Sequence, residues 1–182
     1  MTKATPTAMP DVLFIEPVVS GDDRGFFFES FNQRQFEAVI GRSVSFVQDN
    51  HSRSRRNVLR GLHYQIKQPQ AKLLRVIEGE IFDVVVDMRR SSATYGKSAS
   101  AILSAQNKKQ IWIPEGFAHG FYILSESAEV LYKASDYWSA EHERCVAWND
   151  PQLAVDWPMA RQPLLSPKDK KGVSFSRADA FP

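Results

Sequence analysis

The feature that most restricts the fold of this chain is a series of short apolar or alternating segments separated by turn residues. Segments of this length and spacing are typical of β-sandwiches and β-barrels. The candidate strands span residues 12–16, 25–31, 44–51, 58–65, 72–78, 80–87, 97–103, 110–113, 118–123 and 129–134. We therefore predict a mostly β fold, either a sandwich or a barrel.

Three stretches depart from this pattern. Residues 33–40 have helical spacing of apolar residues, with Asn32 as a candidate N-cap and Gly41 as the candidate end, so we predict a short helix there. The pair at 78–79, Glu-Gly between two strand segments, predicts a tight hairpin. The proline-containing stretch from residue 149 onward predicts an irregular tail that wraps the sheet.

Composition restricts the class of protein. The chain has 182 residues, 43% of them hydrophobic, and a net charge of +2, which is ordinary for one globular domain and too mild to indicate nucleic-acid binding. We expect one domain over 1–182, with residues 1–10 flexible. No apolar run of membrane-spanning or signal-peptide type is present, so we expect a cytoplasmic protein without membrane contact. The single cysteine, Cys145, excludes an internal disulfide and is expected to be a packing residue.

The segment at 57–65, reading NVLRGLHYQ, places Arg60 and His63 in an apolar strand. Histidine can accept a proton near neutral pH, and arginine offers a fork of donors to phosphate or carboxylate. The pair indicates base chemistry on an anionic substrate, although a histidine buried in the core remains an alternative. Regular alternation would put the two side chains on opposite faces, so a shared site requires a bulge or kink, most easily at Gly61.

Strand alternation also predicts that Asp83 and Tyr132 point inward. Asp83 lies between Phe82 and Val84, and a buried carboxylate needs a partner.

Eight sequence blocks carry a family resemblance. They are 24–29 (RGFFFE), 48–50 (QDN), 59–65 (LRGLHYQ), 72–79 (KLLRVIEG), 113–121 (IPEGFAHGF), 132–133 (YK) with Tyr137, 148–150 (WND) and 165–169 (LSPKD). In this order they closely resemble the dTDP-4-dehydrorhamnose 3,5-epimerases, from about residue 11 to residue 169. The resemblance implies a cupin-type jelly roll and a homodimer whose N-terminal strands pair across subunits. It also implies that no metal or other cofactor is needed and that the substrate is a nucleotide-linked 4-keto sugar.

The resemblance also implies roles for individual residues. His63 would be the catalytic base, Asp169 would orient its imidazole, Tyr132 would be the acid and Lys72 would stabilise charge on the C4 oxygen. The implied substrate-binding residues are Arg24, Phe27, Glu29, Gln48, Asn50, Arg60, Lys72, Asp83, His119, Tyr137, Glu143 and Lys168.

Within this set, Asp83 is expected to pair with Lys72 or His119. The alternatives to ligand binding are an ion pair within a turn for Arg24 and an exposed ion pair in the tail for Lys168.

Three other functions are alternatives to the double epimerase. A metal-dependent cupin needs clustered ligands, but position 65 is Gln65 and the four histidines form no close pair in the sequence, so we predict no catalytic metal. An epimerase that inverts only C3 or C5 of a related sugar would keep the same base and acid. A cupin that binds nucleotide sugars without catalysis would need neither a catalytic base nor a catalytic acid.

Overall fold

A computed structural model describes residues 2–182. It contains thirteen β-strands, one α-helix and two short 3-10 helices. The strands are β1 (Lys3–Pro6), β2 (Leu13–Glu16), β3 (Ser20–Asp22), β4 (Gly25–Phe27), β5 (Gln48–Arg55), β6 (Leu59–Gln65), β7 (Lys72–Glu78), β8 (Glu80–Asp87), β9 (Ser98–Ser104), β10 (Gln110–Ile113), β11 (Phe117–Ile123), β12 (Ser127–Ala134) and β13 (Glu143–Cys145). No helix within residues 2–182 has the length and apolar character needed to cross a membrane.

The strands form two antiparallel sheets that face each other, plus a small hairpin. The six-stranded sheet has the order β1-β2-β10-β7-β12-β5, the five-stranded sheet has the order β13-β6-β11-β8-β9, and β3 pairs only with β4. The main core lies between the sheets and draws Leu74 and Val130 from one layer and Ile81, Val85 and Phe121 from the other. This arrangement confirms the predicted sandwich of cupin-like, jelly-roll type.

The predicted helix is confirmed with the same bounds, as α1 (Gln33–Ile40). The Asn32 side chain accepts a hydrogen bond from the backbone N–H of Gln35 at 3.1 Å, which caps the first turn. Gly41 ends the helix in the left-handed conformation, with φ of 74°. The helix buries Phe36 against Trp112, with ring centroids 5.2 Å apart, and so attaches to the outer face of the six-stranded sheet.

The hairpin predicted at 78–79 is wrong. β7 belongs to the six-stranded sheet and β8 to the five-stranded sheet, so the chain crosses between layers at Gly79. Gly79 has φ of 75°, and a Cβ there would lie 2.1 Å from the carbonyl oxygen of Ser127. A tight turn between two apolar segments has the same local pattern whether the segments pair or pack face to face.

The flexibility of residues 1–10 stays a prediction, and Met1 lies outside the described residues. Residues 3–6 form β1, which pairs with β2 of the same chain, and Met9 is buried. The strand predicted at 44–51 instead spans Gln48–Arg55, because this polar edge strand lacks the apolar residues that marked the prediction.

The tail from residue 149 onward follows the outer face of the five-stranded sheet, as predicted. Leu164 bridges to Val58 and Phe181 bridges to Arg89, which attaches the tail at two points. Buried Phe175 packs into a second core formed on that outer face. The path brings the 3-10 helix Asp169–Lys171 against β6, where the candidate site lies.

Candidate active site

The base candidate is positioned by an irregularity in β6. His63 lies opposite His119 and Arg60 lies opposite Phe121, so three steps along β6 face two steps along β11. The extra residue turns Arg60 and His63 to the same face, as the sequence predicts. Gly61 adopts φ of 129°, and a Cβ there would lie 2.5 Å from the Cα of Gly120, so only glycine fits this close approach of the strands.

Asp169 reaches His63 from the tail. Its Oδ1 lies 2.6 Å from Nε2 of His63 and also accepts the backbone N–H of Gly61, while the Ser166 hydroxyl donates to its Oδ2 at 2.6 Å. Burial alone would raise the pKa of Asp169, but the hydrogen bonds from His63 and Ser166 outweigh it and lower the pKa to about 2. Asp169 is therefore ionised at neutral pH.

The imidazole of His63 is neutral at neutral pH. Burial lowers its pKa from 6.5, and this effect exceeds the opposing effect of the hydrogen bond to Asp169. Because an ionised carboxylate can only accept, His63 donates its Nε2–H to Asp169, which leaves the lone pair on Nδ1. His63 is thus prepared to accept a proton.

His63 lines a cavity between the two sheets. The cavity holds about 450 Å³, part of it open to solvent, and is lined by Gln48, Asn50, His63, Tyr64, Gln65, Gln70, Lys72, Tyr132, Trp138 and Glu143. The six-stranded sheet supplies Lys72 and Tyr132, whereas the five-stranded sheet supplies His63. A ligand in the cavity therefore lies between the base candidate on one wall and the acid candidate on the other.

Lys72 and Tyr132 have protonation states that suit their predicted roles. Burial lowers the pKa of Lys72 to about 8, so the ammonium remains mostly charged at neutral pH. Burial raises the pKa of Tyr132, so the phenol keeps its proton. The cavity therefore combines a neutral base, a cation and a protonated acid.

A second histidine–aspartate pair lies beside the first. Buried His119 is the cross-strand neighbour of His63, and its Nε2 lies 2.7 Å from Oδ2 of Asp83. Asp83 is 1% exposed and alternates in step with Ile81 and Val85, which lie in the core between the sheets, so it points inward as predicted, and its partner is His119. The other oxygen of Asp83, Oδ1, has no hydrogen-bond partner among the described residues.

Several predicted substrate-binding residues lie around the same cavity. Gln48, Asn50, Lys72 and Glu143 line it directly. Lys168 extends its Nζ to within 2.7 Å of Glu143, so it pairs across the site.

Two further predicted residues lie near this cavity. Arg60 donates to Ser54 at 2.9 Å and lines an adjoining cavity with Asp169. Tyr137 is 62% exposed, and its carbonyl accepts a hydrogen bond from Gln65, a residue of the cavity wall.

Three other predicted residues are not brought to this cavity within the chain. Arg24 forms an exposed ion pair with Asp22 at 2.6 Å, which is the turn pair that the sequence offers as an alternative. Phe27, on the same β3–β4 hairpin, is 76% exposed. Glu29 accepts a hydrogen bond from Gln35 of the helix at 3.0 Å.

The structure adds residues that the sequence analysis did not place in the site. Ser166 holds Asp169 through a local hydrogen bond, and its position three residues before an aspartate is a recognisable signal. Gln70 forms part of the cavity wall. Cys145 lies opposite His63 in the β13–β6 pair, and no local pattern could have shown that proximity.

Comparisons with known proteins agree with this geometry. A family model described as dTDP-4-dehydrorhamnose 3,5-epimerase matches residues 6–177. The dTDP-4-dehydrorhamnose 3,5-epimerase of Pseudomonas aeruginosa is 63% identical over 180 residues, covering 99% of both chains. The crystal structure of dTDP-6-deoxy-D-glucose-3,5-epimerase from Legionella pneumophila in complex with dTDP-4-keto-L-rhamnose is 49% identical. It gives a TM-score of 0.96 and covers 98% of this chain and 95% of that chain.

A more distant solved structure has a different stated activity. ChmJ, a 3'-monoepimerase from Streptomyces bikiniensis in complex with dTDP-quinovose, is 31% identical with a TM-score of 0.89, covering 94% of this chain and 87% of that chain. The fold is therefore shared by single and double epimerases. The family model matches most of this chain, and one relative is 63% identical to it over 180 residues. This chain therefore belongs to the dTDP-4-dehydrorhamnose 3,5-epimerase family.

Proposed function

We infer that this chain inverts C3 and C5 of dTDP-4-dehydro-6-deoxy-D-glucose to give dTDP-4-dehydro-L-rhamnose, in the synthesis of dTDP-L-rhamnose. The observation that carries this conclusion is the neutral His63, held by Asp169, in one cavity with Lys72 and Tyr132. The 63% identity to a protein of this name, over almost the whole chain, supports the same conclusion.

The first half of each inversion is removal of a proton. Nδ1 of His63 takes the proton from a carbon beside the C4 ketone, and the electron pair moves to the ketone oxygen to form an enolate. Asp169 stabilises the imidazolium that forms. The ammonium of Lys72 stabilises the developing negative charge on the oxygen, a contribution that can reach about 3 kcal/mol for one well-placed donor.

The second half is return of a proton to the opposite face. Tyr132 donates its phenolic proton to the carbon, which restores the ketone with inverted configuration. This geometry suits inversion because Tyr132 and His63 belong to different sheets on opposite walls of the cavity. Before the second carbon reacts, His63 must release a proton and Tyr132 must regain one, and the cavity opens to solvent for this exchange.

The nucleotide end needs cations and hydrogen-bonding groups outside the reacting pocket. Arg60 and Lys168 provide positive charge for the diphosphate, with Gln48, Asn50 and Glu143 as polar partners. The base, the acid and the cation are all side chains, so the proposal includes no metal and no organic cofactor.

We propose that the protein works as a homodimer in the cytoplasm. Within one chain, Arg24 and Phe27 lie exposed on a hairpin that does not line the cavity. A second copy would give these side chains, and Glu29, a nucleotide to contact. The exposed edge of β1 is also available to another strand.

The test is proton exchange at the sugar. The protein is incubated with dTDP-4-keto-6-deoxy-D-glucose in deuterated water, and label at C3 and C5 is followed by NMR while a reductase with NADPH traps the product. Label at both carbons with trapped dTDP-L-rhamnose is expected. Label at one carbon would favour the single-site epimerase, for which the fold shared with a 3'-monoepimerase is the supporting observation, and no label would overturn both.

A further inference from the structure

Cys145 lies in the active site without a part in the proposed reaction. It pairs opposite His63 in the β13–β6 ladder, and its Sγ contacts the carbonyl oxygen of Gly61 at 3.7 Å. It is the chain's single cysteine and is only partly buried. The site therefore contains a thiol beside the base, and its hydrogen bonds within the described residues go to the backbone carbonyls of Gly61 and Val146.

The thiol completes a set of metal ligands. One ligand atom from each of His63, Cys145 and Asp169 lies within 4.8 Å of the other two. Imidazole, thiolate and carboxylate are the three ligand types that Zn²⁺ takes in proteins, at bond lengths of about 2.0 to 2.3 Å. A tetrahedral ion with these bond lengths needs its ligand atoms about 3.3 to 3.8 Å apart. Atoms near the 4.8 Å limit would therefore move together by about 1 Å, whereas Nε2 of His63 and Oδ1 of Asp169, now 2.6 Å apart, would move apart by about 0.7 Å.

Two features of the cluster favour a metal ion over a chance approach. Ser166 donates to one oxygen of Asp169, which orients the carboxylate as a supporting hydrogen bond does in metal sites. Three protein ligands also leave a fourth position on the ion, and His63 lines the cavity, so water or a substrate oxygen could occupy that position.

We propose that Zn²⁺ binds to His63, Cys145 and Asp169 and inhibits the enzyme reversibly by occupying the imidazole that serves as the base. The inhibitory effect rests on the proposed function, whereas the binding site does not. The ion takes the Nε2 lone pair of His63 in place of the hydrogen bond to Asp169, and the proton of that nitrogen moves to Nδ1 through exchange with solvent. The thiol loses one proton to solvent as it becomes a ligand, and no electrons are transferred. The ion is an inhibitor here, because the proposed reaction needs His63 free to accept a proton.

Two energetic costs of binding the ion make this a site of reversible binding. Burial raises the pKa of Cys145 to about 12, so the thiol is protonated before the ion arrives. The ion must also replace a short hydrogen bond of 2.6 Å between His63 and Asp169. Both costs weaken binding relative to a dedicated structural zinc site.

The binding site is tested with Co²⁺ as a spectroscopic substitute for Zn²⁺. A thiolate ligand produces a charge-transfer band with Co²⁺, and because the chain has one cysteine, any such band reports Cys145. We expect one Co²⁺ per chain with this band in the unmodified protein, and no band in Cys145→Ser. Absence of the band in the unmodified protein, or its persistence in the variant, would overturn the site.

The inhibitory effect is tested by Zn²⁺ titration of epimerase activity. Cys145→Ser should need about 100-fold more Zn²⁺ for the same inhibition, since loss of a ligand costs at least as much as loss of a supporting residue. The matched control is His51→Ala, which removes an exposed histidine paired with Glu129 outside the cavity, and it should be inhibited like the unmodified protein. Equal inhibition of Cys145→Ser and the unmodified protein would contradict the proposal.

The two tests separate the possible failures. A cobalt band that depends on Cys145 in a protein without epimerase activity would retain the metal site and reject the proposed function. Epimerase activity in a protein that shows no cobalt band would retain the proposed function and reject the metal site.

Discussion

Two buried aspartates show how the same charge serves different purposes in this fold. Asp87, at the end of β8, accepts hydrogen bonds from Arg89, Ser92 and Thr94. Asp169, at the candidate site, accepts them from His63, Ser166 and the backbone of Gly61.

The hydrogen bonds overcome the effect of burial in both cases and lower the pKa of each carboxyl to about 2. The difference lies in the donors. Arg89 is permanently charged, whereas His63 can gain and lose a proton near neutral pH. A low carboxylate pKa therefore does not identify a reactive site, and the partner decides whether the pair is structural or catalytic.

The largest effect is expected from His63→Ala. Removal of the general base should lower kcat/KM by about 10²- to 10⁴-fold, while the fold persists because Asp169 keeps its donors from Ser166 and Gly61. Steady-state kinetics with circular dichroism checks both statements. His51→Ala removes an exposed histidine and serves as the matched control, and deuterium exchange at the normal rate in His63→Ala would reject His63 as the base.

The structural aspartate should show the opposite pattern. Asp87→Asn leaves Arg89 without its buried partner and should cost about 3 kcal/mol of unfolding free energy, with little change in kcat per folded molecule. Urea denaturation measures the loss. Asp11→Asn removes only the ion pair between Arg89 and the exposed Asp11. It should lower the unfolding free energy by less than about 1 kcal/mol. Equal losses in the two variants would remove the distinction between buried and exposed pairs.

Acid should destabilise the fold through both aspartates. Each carboxyl has a pKa of about 2 in the folded protein and a usual value of 3.8, so its contribution is complete above pH 3.8 and is lost as the pH falls towards 2. The shift corresponds to about 2 kcal/mol for each residue. The unfolding free energy, measured from pH 5 to pH 2, should fall less steeply in Asp87→Asn, and an unchanged slope would contradict this assignment.

The smallest expected effect is in the pH profile of activity. Because burial lowers the pKa of His63, the acid limb of kcat/KM should lie below pH 6.5. Activity should fall again above pH 8, where Lys72 loses its charge because burial lowers its pKa to about 8. Lys72→Arg retains a cation at all working pH values and should shift the alkaline limb upward. An acid limb above pH 6.5 would show that the imidazole is not desolvated.

The sequence predicted those parts of the fold that local interactions determine. Helix α1 depends on a cap at Asn32 and a left-handed residue at Gly41, which lie at its own ends, and its bounds were confirmed. The connection at Gly79 was predicted wrongly because the assignment of β7 and β8 to different layers depends on contacts that are distant in the chain.

The candidate site divides in the same way. Strand alternation predicted that Asp83 points inward and that Arg60 and His63 could share a site only with a bulge or kink, for which Gly61 was the candidate; the register shift between β6 and β11 lies at this point. Asp169 follows His63 by 106 residues in the sequence, and only the path of the tail brings the two together. Their pairing was therefore implied only by the family resemblance. The proximity of Cys145 depends on the β13–β6 register and could not be predicted locally.

The placement of base and acid on different sheets has a consequence for how such enzymes can change. His63 and Tyr132 belong to different sheets, so their separation depends on how thickly the side chains between the layers are packed. The packing of the interior therefore sets the distance between the two cavity walls that contact the sugar ring. Substitutions of core volume at Leu74 or Val130 can adjust that gap without altering any residue that touches the substrate. New sugar preferences can accordingly arise from the hidden interior as well as from the walls of the pocket.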